Sequence, residues 1–112
     1  MFIFKLFRIE EWLQFKALGK TDGAPIDVID GFIHFSKANQ VKETAAKHFK
    51  ADKDLILLSC NADNLKPDLK WEISRGGELF PHLYRKLALK DIEARYDIPK
   101  LNGLHKFPDI IS

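Results

Sequence analysis

The chain has 112 residues, of which 46% are hydrophobic and 30% charged, and its formal net charge is +2 at pH 7. This length suits one compact globular domain, and the small net charge does not indicate a nucleic-acid partner. A single cysteine excludes an internal disulfide, and with it a cross-linked secreted scaffold.

The distribution of apolar residues bears on where the protein acts. The apolar run at the start of the chain is too short for a signal peptide, and no segment reaches the length of a membrane-spanning helix. We therefore predict a cytoplasmic protein without a membrane partner. Cys60 follows an apolar run typical of a buried strand, which favours a buried thiol over a reactive one.

The first half of the chain predicts two main helices among short strands. Bulky apolar residues predict a strand at residues 2–6, and helical spacing predicts a helix over residues 8–18. A strand at residues 32–35 leads to Ser36, which is placed to cap a helix at about residues 38–49. The residues expected on the buried sides of these helices are Ile9, Trp12, Leu13, Phe15 or Lys16, Val41, Ala45, His48 and Phe49.

The second half predicts strands separated by turns. Strands are expected at residues 54–60, 71–73 and 80–87, and the charge pattern of residues 89–96 allows a helical turn followed by a strand. Residues 99–112 lose periodicity and are predicted to form a loop-like tail. The order of these elements predicts a single α+β domain, residues 1–112, with a mixed or antiparallel sheet.

Alternation along the predicted strands separates polar and aromatic side chains from aliphatic ones. In the strand at residues 32–35, Ile33 and Phe35 are expected to enter the core, so that the other face looks into a cleft or solvent. The later strands show the same parity. The side chains that this alternation places on faces away from the core are Phe32, His34, Ser36, Glu72, Ser74, Phe80, His82 and Tyr84.

These side chains predict a small-molecule site, in which a few polar groups orient a ligand against aromatic walls. The candidate catalytic groups are His34, Glu72 and His82, because imidazoles and carboxylates transfer protons. No metal site is predicted, because no spacing typical of metal ligands occurs. The candidate ligand-binding residues are Phe32, Ser36, Arg75, Gly76 and Tyr84.

Each candidate also has a structural interpretation. His34 can donate to a backbone carbonyl, Ser36 can cap its helix with a contribution of about 1 kcal/mol, and Glu72 can pair with Arg75 or another cation. The Arg-Gly-Gly sequence that begins at Arg75 is typical of a tight turn. The same sequence also suits a loop that phosphate can approach, with the guanidinium as a bidentate donor.

Seven segments occur together and in order: Asp30-Gly31-Phe32-Ile33-His34-Phe35-Ser36, Gln40-Val41, Thr44-Ala45-Ala46, His48-Phe49, Trp71-Glu72, Ser74-Arg75-Gly76-Gly77 and Phe80-Pro81-His82-Leu83-Tyr84. Together they resemble an uncharacterised bacterial family, domain of unknown function nine-five-two. The resemblance runs from Phe2 to about Ile98. Two positions depart from the family pattern: Lys37, where a small hydroxyl residue is common, and Arg85, where glycine is common.

That family is similar to the ADP-ribosyltransferase fold, and most closely to RNA 2′-phosphotransferases. The resemblance implies a split β core with a groove for NAD, which makes NAD the candidate cofactor. It implies that His34 or Ser36 holds a ribose or phosphate, that Phe32 or Tyr84 stacks on a ring, and that Arg75 pairs with phosphate.

The same resemblance implies a glutamate that stabilises an oxocarbenium-like sugar. Glu72 is the first candidate for that role and Glu78 the second. The first predicted strand lacks the histidine or arginine that opens the usual triad of such enzymes.

Three functions are therefore expected. The first is a nucleotide-handling enzyme or its relic, acting on NAD, ADP-ribose or a phosphorylated ribose end. The second is a non-catalytic module that binds a small ligand in the same groove. The third is a protein-interaction module whose polar strand residues satisfy one another.

Overall fold

The structure is a computed structural model that describes residues 1–111. Three α-helices occur within these residues: α1 (Ile9–Leu18), α2 (Pro25–Asp30) and α3 (Val41–His48). The strands within the same range are β1 (Phe2–Arg8), β2 (Lys20–Thr21), β3 (Ile33–His34), β4 (Leu55–Asn61), β5 (Leu69–Ile73), β6 (Leu79–Leu83), β7 (Leu87–Ala88), β8 (Ile92–Ile98), β9 (Lys100–Leu101) and β10 (Leu104–His105).

Two three-stranded antiparallel sheets form the centre of this compact α+β domain. In the first sheet β4 lies between β1 and β8, and in the second β6 lies between β3 and β5. Two backbone hydrogen bonds between Phe4 and Ser36 join the sheets, each 2.8 Å long. Short antiparallel pairs, β2 with β7 and β9 with β10, complete the fold.

Two apolar cores cover the two faces of the first sheet. Ile3, Phe7 and Leu58 face the first core, where Ile33 and Leu83 of the second sheet and Phe15 of α1 pack against them. The opposite face packs against α3 and the end of the chain. Because both faces of β1 and β4 are buried, these strands have nearly continuous apolar sequences.

The helices differ from the sequence expectations in three ways. Two main helices were expected and three are present, since Pro25–Asp30 forms the additional helix α2. Of the predicted stripe on α1, only Phe15 is fully buried, whereas Leu13 is 51% exposed, so its side of the helix faces solvent. On α3, Val41 and Ala45 are buried, but the predicted packing of His48 is wrong because its side is exposed.

The prediction that Ser36 caps α3 is also wrong. Ser36 pairs its backbone with Phe4 and therefore belongs to the junction of the sheets. A turn closed by the Gln40 amide on the Lys37 carbonyl follows, so α3 starts at Val41. Among the helices of residues 1–111, none is both long and apolar enough to cross a lipid bilayer.

The tail is more ordered than its sequence predicts. The β9–β10 hairpin forms between Lys100 and His105, and Ile111 is buried in the second core beside Phe107. Three other apolar residues of the tail, Leu101, Leu104 and Ile110, are about half exposed or more. A short hairpin with one apolar anchor leaves no long periodic pattern, which is why the sequence suggests a loop.

Cys60 provides a test of the first core. Its side chain is fully buried in β4, and burial raises the pKa of the thiol to about 12. We expect the folded protein to resist an aromatic disulfide reagent at mildly alkaline pH, because the thiolate is the reacting form. One thiol should react at once in denaturant. Rapid modification of the native protein would contradict this packing.

Candidate functional site

The outer face of the second sheet carries the predicted polar and aromatic residues. His34 of β3 and His82 of β6 are direct cross-strand partners, so their side chains lie on the same face, opposite Ile33 and Leu83 in the first core. The parity prediction is therefore confirmed for His34 and His82, whereas Ser36 and Phe80, which were also expected on non-core faces, are buried. This surface is named the histidine face and consists of Phe32, His34, Glu72, His82 and Tyr84.

A buried ion pair holds the His34 side of this face. Lys5 and Asp27 are 5% and 1% exposed, and Lys5 Nζ donates to Asp27 Oδ2 at 2.7 Å and to the His34 carbonyl at 3.0 Å. The Asp27 carboxylate also accepts from the backbone amides of Ala24 and His34, at 2.7 and 3.0 Å. Asp27 Oδ1 lies 2.5 Å from Nδ1 of the His34 ring.

These contacts keep Asp27 ionised. Burial alone would raise the pKa of its carboxyl, but the hydrogen bonds from His34 and Lys5 and the charge of Lys5 outweigh it and lower the pKa. A carboxylate can only accept, so His34 Nδ1 carries a proton and donates it to Asp27. The other ring nitrogen, Nε2, lies 3.0 Å from Asp30 Oδ2, and 31% of the His34 side chain is exposed.

Glu72 and Tyr84 hold the second imidazole. Glu72 Oε1 lies 2.8 Å from His82 Nδ1 and accepts a hydrogen bond of 2.7 Å from the Tyr84 hydroxyl. The hydrogen bonds from Tyr84 and His82 lower the pKa of Glu72, and the bond to Glu72 raises the pKa of Tyr84. Glu72 is therefore an ionised acceptor, and His82 Nδ1 carries the proton that it receives.

The remaining nitrogen of His82 has no hydrogen-bond partner in the part of the chain that the structure describes. The His82 side chain is 5% exposed, and no group of residues 1–111 forms a hydrogen bond with its Nε2 atom. Burial lowers the pKa of His82, which leaves the ring neutral at pH 7 despite the nearby Glu72. A neutral ring protonated on Nδ1 presents a lone pair at Nε2. This lone pair faces away from Glu72, because the two ring nitrogens point in nearly opposite directions.

Phe32 covers both imidazoles. Its ring stacks on His82 with centroids 4.2 Å apart and contacts His34 at 4.6 Å and Tyr84 at 5.2 Å. The two imidazole centroids are 5.2 Å apart with their planes at 69°. Phe32 itself is only half-buried and follows Gly31, whose φ of 84° ends α2. The structure thus brings five predicted site residues together: Phe32, His34, Glu72, His82 and Tyr84.

Ser36 and Arg75 meet at a separate cluster on α3. The Arg75 guanidinium donates to Thr44 Oγ1 at 3.0 Å, and Nε lies 3.0 Å from Glu43 Oε1. Ser36 Oγ is 3.2 Å from the same Thr44 hydroxyl. The expected ion pair between Glu72 and Arg75 is therefore wrong, because Arg75 reaches α3 rather than β5.

Gly76 lies in the turn that precedes β6. Its φ of 69°, followed by 77° at Gly77, matches the tight-turn interpretation of the Arg-Gly-Gly sequence. A role of Gly76 or Arg75 in contacting phosphate stays a prediction.

A cavity of about 220 Å³ adjoins the histidine face at Phe32 and Tyr84. Two cations, Arg85 and Lys86, line its rim. Arg85 is held in a two-pronged contact with Asp91 at 2.9 and 3.2 Å, which gives a structural reason for an arginine at this position. Lys86 forms an exposed pair with Asp22 at 2.7 Å, and a pair of that kind exchanges readily for another anion.

Within residues 1–111, no group of three or more His, Cys, Asp or Glu side chains is arranged to hold a metal ion. Sequence reasoning did not identify Lys5, Asp27, Asp30 or Lys86 as parts of the site. The sequence did contain a signal for Lys5 and for the existence of its partner, Asp27. Lys5 interrupts an apolar strand, and a buried lysine requires a carboxylate partner.

Acidification is expected to destabilise the fold through His82. Because its pKa in the folded protein lies below the ordinary 6.5, the unfolded chain binds a proton below that pH before the folded chain does. The free energy of unfolding should therefore fall between about pH 7.5 and about pH 5.5, and fall less in His82→Gln. Urea titrations of both proteins measure this, while His48, whose pKa is also lowered, stays unchanged in each. An equal decrease in both proteins would contradict the burial of a neutral His82.

Most of the chain is similar to known proteins. A family model described as "Protein of unknown function (DUF952)" matches residues 6–95. The crystal structure of protein CC0527 from Caulobacter crescentus is 41% identical with a TM-score of 0.93, over 99% of this chain and 98% of that one. The solution NMR structure of CC0527 is 42% identical with a TM-score of 0.82, over 93% and 90% of the two chains. No curated protein matches the chain. The chain belongs to the DUF952 family of proteins of unknown function.

Proposed function

We propose that the histidine face and the cavity beside it bind a phosphorylated ribose, such as NAD, ADP-ribose or a ribose-phosphate end. The observation that carries this proposal is the composition of the cavity. Aromatic walls at Phe32 and Tyr84 stand next to an exchangeable cation, Lys86. A flat base or a sugar packs on such walls, and a phosphate pairs with such a cation.

The polar groups of the histidine face, which lies beside the cavity, suit a ribose. Glu72 offers acceptor oxygens next to the Tyr84 hydroxyl, and the Glu72 side chain and Tyr84 are each 39% exposed. Ribose hydroxyls donate to a carboxylate in this way. A fold related to ADP-ribosyltransferases, with Ser36, Arg75 and Gly76 as further ligand contacts, is part of the same proposal.

A thermal-shift panel tests this proposal. It contains NAD, ADP-ribose, AMP and ribose 5-phosphate, with adenosine and inorganic phosphate as single-feature controls. A compound that binds the folded state raises Tm by mass action, and we expect the phosphorylated ribosides to do so more than either control. If no phosphorylated riboside raises Tm, the proposal fails.

Two variants locate the binding. Lys86→Ala should raise Kd roughly tenfold through loss of a charge-assisted hydrogen bond. Lys106→Ala, which removes an exposed lysine of the tail, is the matched control and should leave Kd unchanged. An equal loss in both variants would indicate nonspecific attraction to positive charge.

A protein-interaction module is the second candidate, and one observation favours it. Ile73 and Leu79 are cross-strand partners on the end of the second sheet, 73% and 47% exposed, with Trp71 nearby on β5. An exposed apolar group of this kind is typical of association surfaces. If the protein self-associates there, Ile73→Lys should lower its sedimentation coefficient without affecting ligand-induced Tm shifts. An unchanged coefficient would count against this candidate.

A further inference from the structure

We propose that His82 and His34 act as a general base and a general acid that hydrolyse a ribose 2′,3′-cyclic phosphodiester. The inference rests on the proposed function, since it names a reaction and a substrate class for the same site. It goes beyond ligand binding because it assigns proton removal to His82 and proton donation to His34. The two assignments follow from the different partners of the two rings.

His82 has the surroundings of a base. Its Nδ1 proton is held by Glu72, and its Nε2 atom has no partner among residues 1–111 although the side chain is 5% exposed. A buried polar atom without a partner is uncommon in folded proteins and is often explained by a catalytic role. A carboxylate that fixes one imidazole nitrogen directs the other toward the proton to be removed.

His34 has the surroundings of an acid. Carboxylate oxygens face both ring nitrogens, Asp27 at 2.5 Å from Nδ1 and Asp30 at 3.0 Å from Nε2. A ring that carries a proton on each nitrogen satisfies both contacts. Asp27 is fixed by Lys5, whereas Asp30 lies at the exposed end of α2 and can release Nε2 to a substrate.

The two rings lie close enough on one sheet face for both to reach a single phosphorus atom. The entering and leaving oxygens lie on opposite sides of the phosphorus in an in-line reaction, so two proton-transfer groups must approach it from two directions. The imidazole centroids are 5.2 Å apart on one sheet face. Phe32 is half-buried over both rings, so admission of the substrate requires this side chain to turn aside.

The step is balanced in atoms and charge. Nε2 of His82 takes a proton from water as the water oxygen forms a bond to phosphorus. The bond from phosphorus to one ribose oxygen breaks, its electron pair stays on that oxygen, and Nε2 of His34 supplies the proton. One water is consumed, the product is a ribose phosphomonoester, and the rings regain their starting states by proton exchange with solvent.

The test is hydrolysis of adenosine 2′,3′-cyclic phosphate, followed by phosphorus NMR. We expect monoester to accumulate with wild type, and His82→Gln and His34→Gln each to lose about 10²–10⁴-fold in kcat/KM. His48→Gln removes an exposed imidazole outside the pair and should keep wild-type turnover. Retention of activity within tenfold in either pair variant would overturn the inference.

A second variant covers the case in which the histidine variants do not fold. Glu72 is half-exposed and positions His82 without touching the reacting atoms, so Glu72→Gln should fold, reduce kcat and move the lower limb of the pH profile. The groups that face the pair and shape this profile are Asp27 and Asp30 of α2, Lys5 of β1, Lys70 and Glu72 of β5, and Tyr84. An unchanged profile would contradict the role of His82 as base.

The binding panel separates the two proposals. If the cyclic phosphate and other phosphorylated ribosides raise Tm but no monoester forms, the acid–base inference is overturned and the proposed function stands. If none of them binds, both are overturned. Turnover that requires both histidines supports both.

Discussion

Replacing Asp27 with alanine is expected to destabilise the folded protein by about 3–5 kcal/mol, because the change leaves a buried lysine charge without its partner. Lys5 Nζ is 2.7 Å from the carboxylate, and both side chains are almost completely excluded from solvent. The same carboxylate accepts from the amides of Ala24 and His34 and from the His34 ring. Four donors would lose their acceptor at once, and chemical denaturation measures the loss.

A double-mutant cycle gives the control for this prediction. Lys5→Met removes the buried charge, and Asp27→Asn keeps an oxygen acceptor for the two amides. The double variant should be more stable than the sum of the two single changes predicts, because each single change leaves one charge unpaired. Additive single effects would show that Lys5 and Asp27 do not interact in the folded protein.

Gly23→Ala is expected to be the second most damaging change. Gly23 has a φ of 98°, and an added Cβ would overlap Asp27 Oδ2 and lie 2.7 Å from Asp27 Cβ. The unfavourable φ costs about 1–2 kcal/mol and the overlap about 1–3 kcal/mol more, so a total of roughly 2–5 kcal/mol is expected. The displaced carboxylate would also release the His34 ring.

Gly19→Ala is the matched control for this substitution. Gly19 has a φ of 82°, but an added Cβ would meet no atom within 4 Å. It should therefore show the conformational cost alone, about 1–2 kcal/mol. If the two alanine variants unfold at the same denaturant concentration, Gly23 is not needed for the close approach of Asp27.

The strand faces were predictable because alternation is a local property. A strand turns His34 away from Ile33 whatever else the chain does, and the apolar Ile33 selects the core side. The pairing of His34 with His82 was not predictable, since it depends on the register between β3 and β6, which lie far apart in sequence. The parity of each strand alone leaves that register open.

The partners of the histidines could not be obtained from the sequence for a similar reason. Asp27 lies on α2, a helix of only six residues, which is too short to give a clear helical period. Asp27 can hold His34 because its side chain packs closely against Gly23 and pairs with Lys5 of β1. Arg75 stands in the turn with Gly76 and reaches Glu43 on α3, a contact between segments far apart in the sequence.

Nitrogen-15 NMR of the imidazole rings tests the central claim most directly. The account predicts that His82 at neutral pH carries its proton on Nδ1, with the chemical shift of an unprotonated nitrogen at Nε2, and that an added phosphorylated riboside changes the Nε2 shift. Glu72→Gln should weaken this preference, since the acceptor for the Nδ1 proton is altered. A His82 ring protonated on Nε2, or one whose Nε2 shift ignores every riboside, would contradict the account.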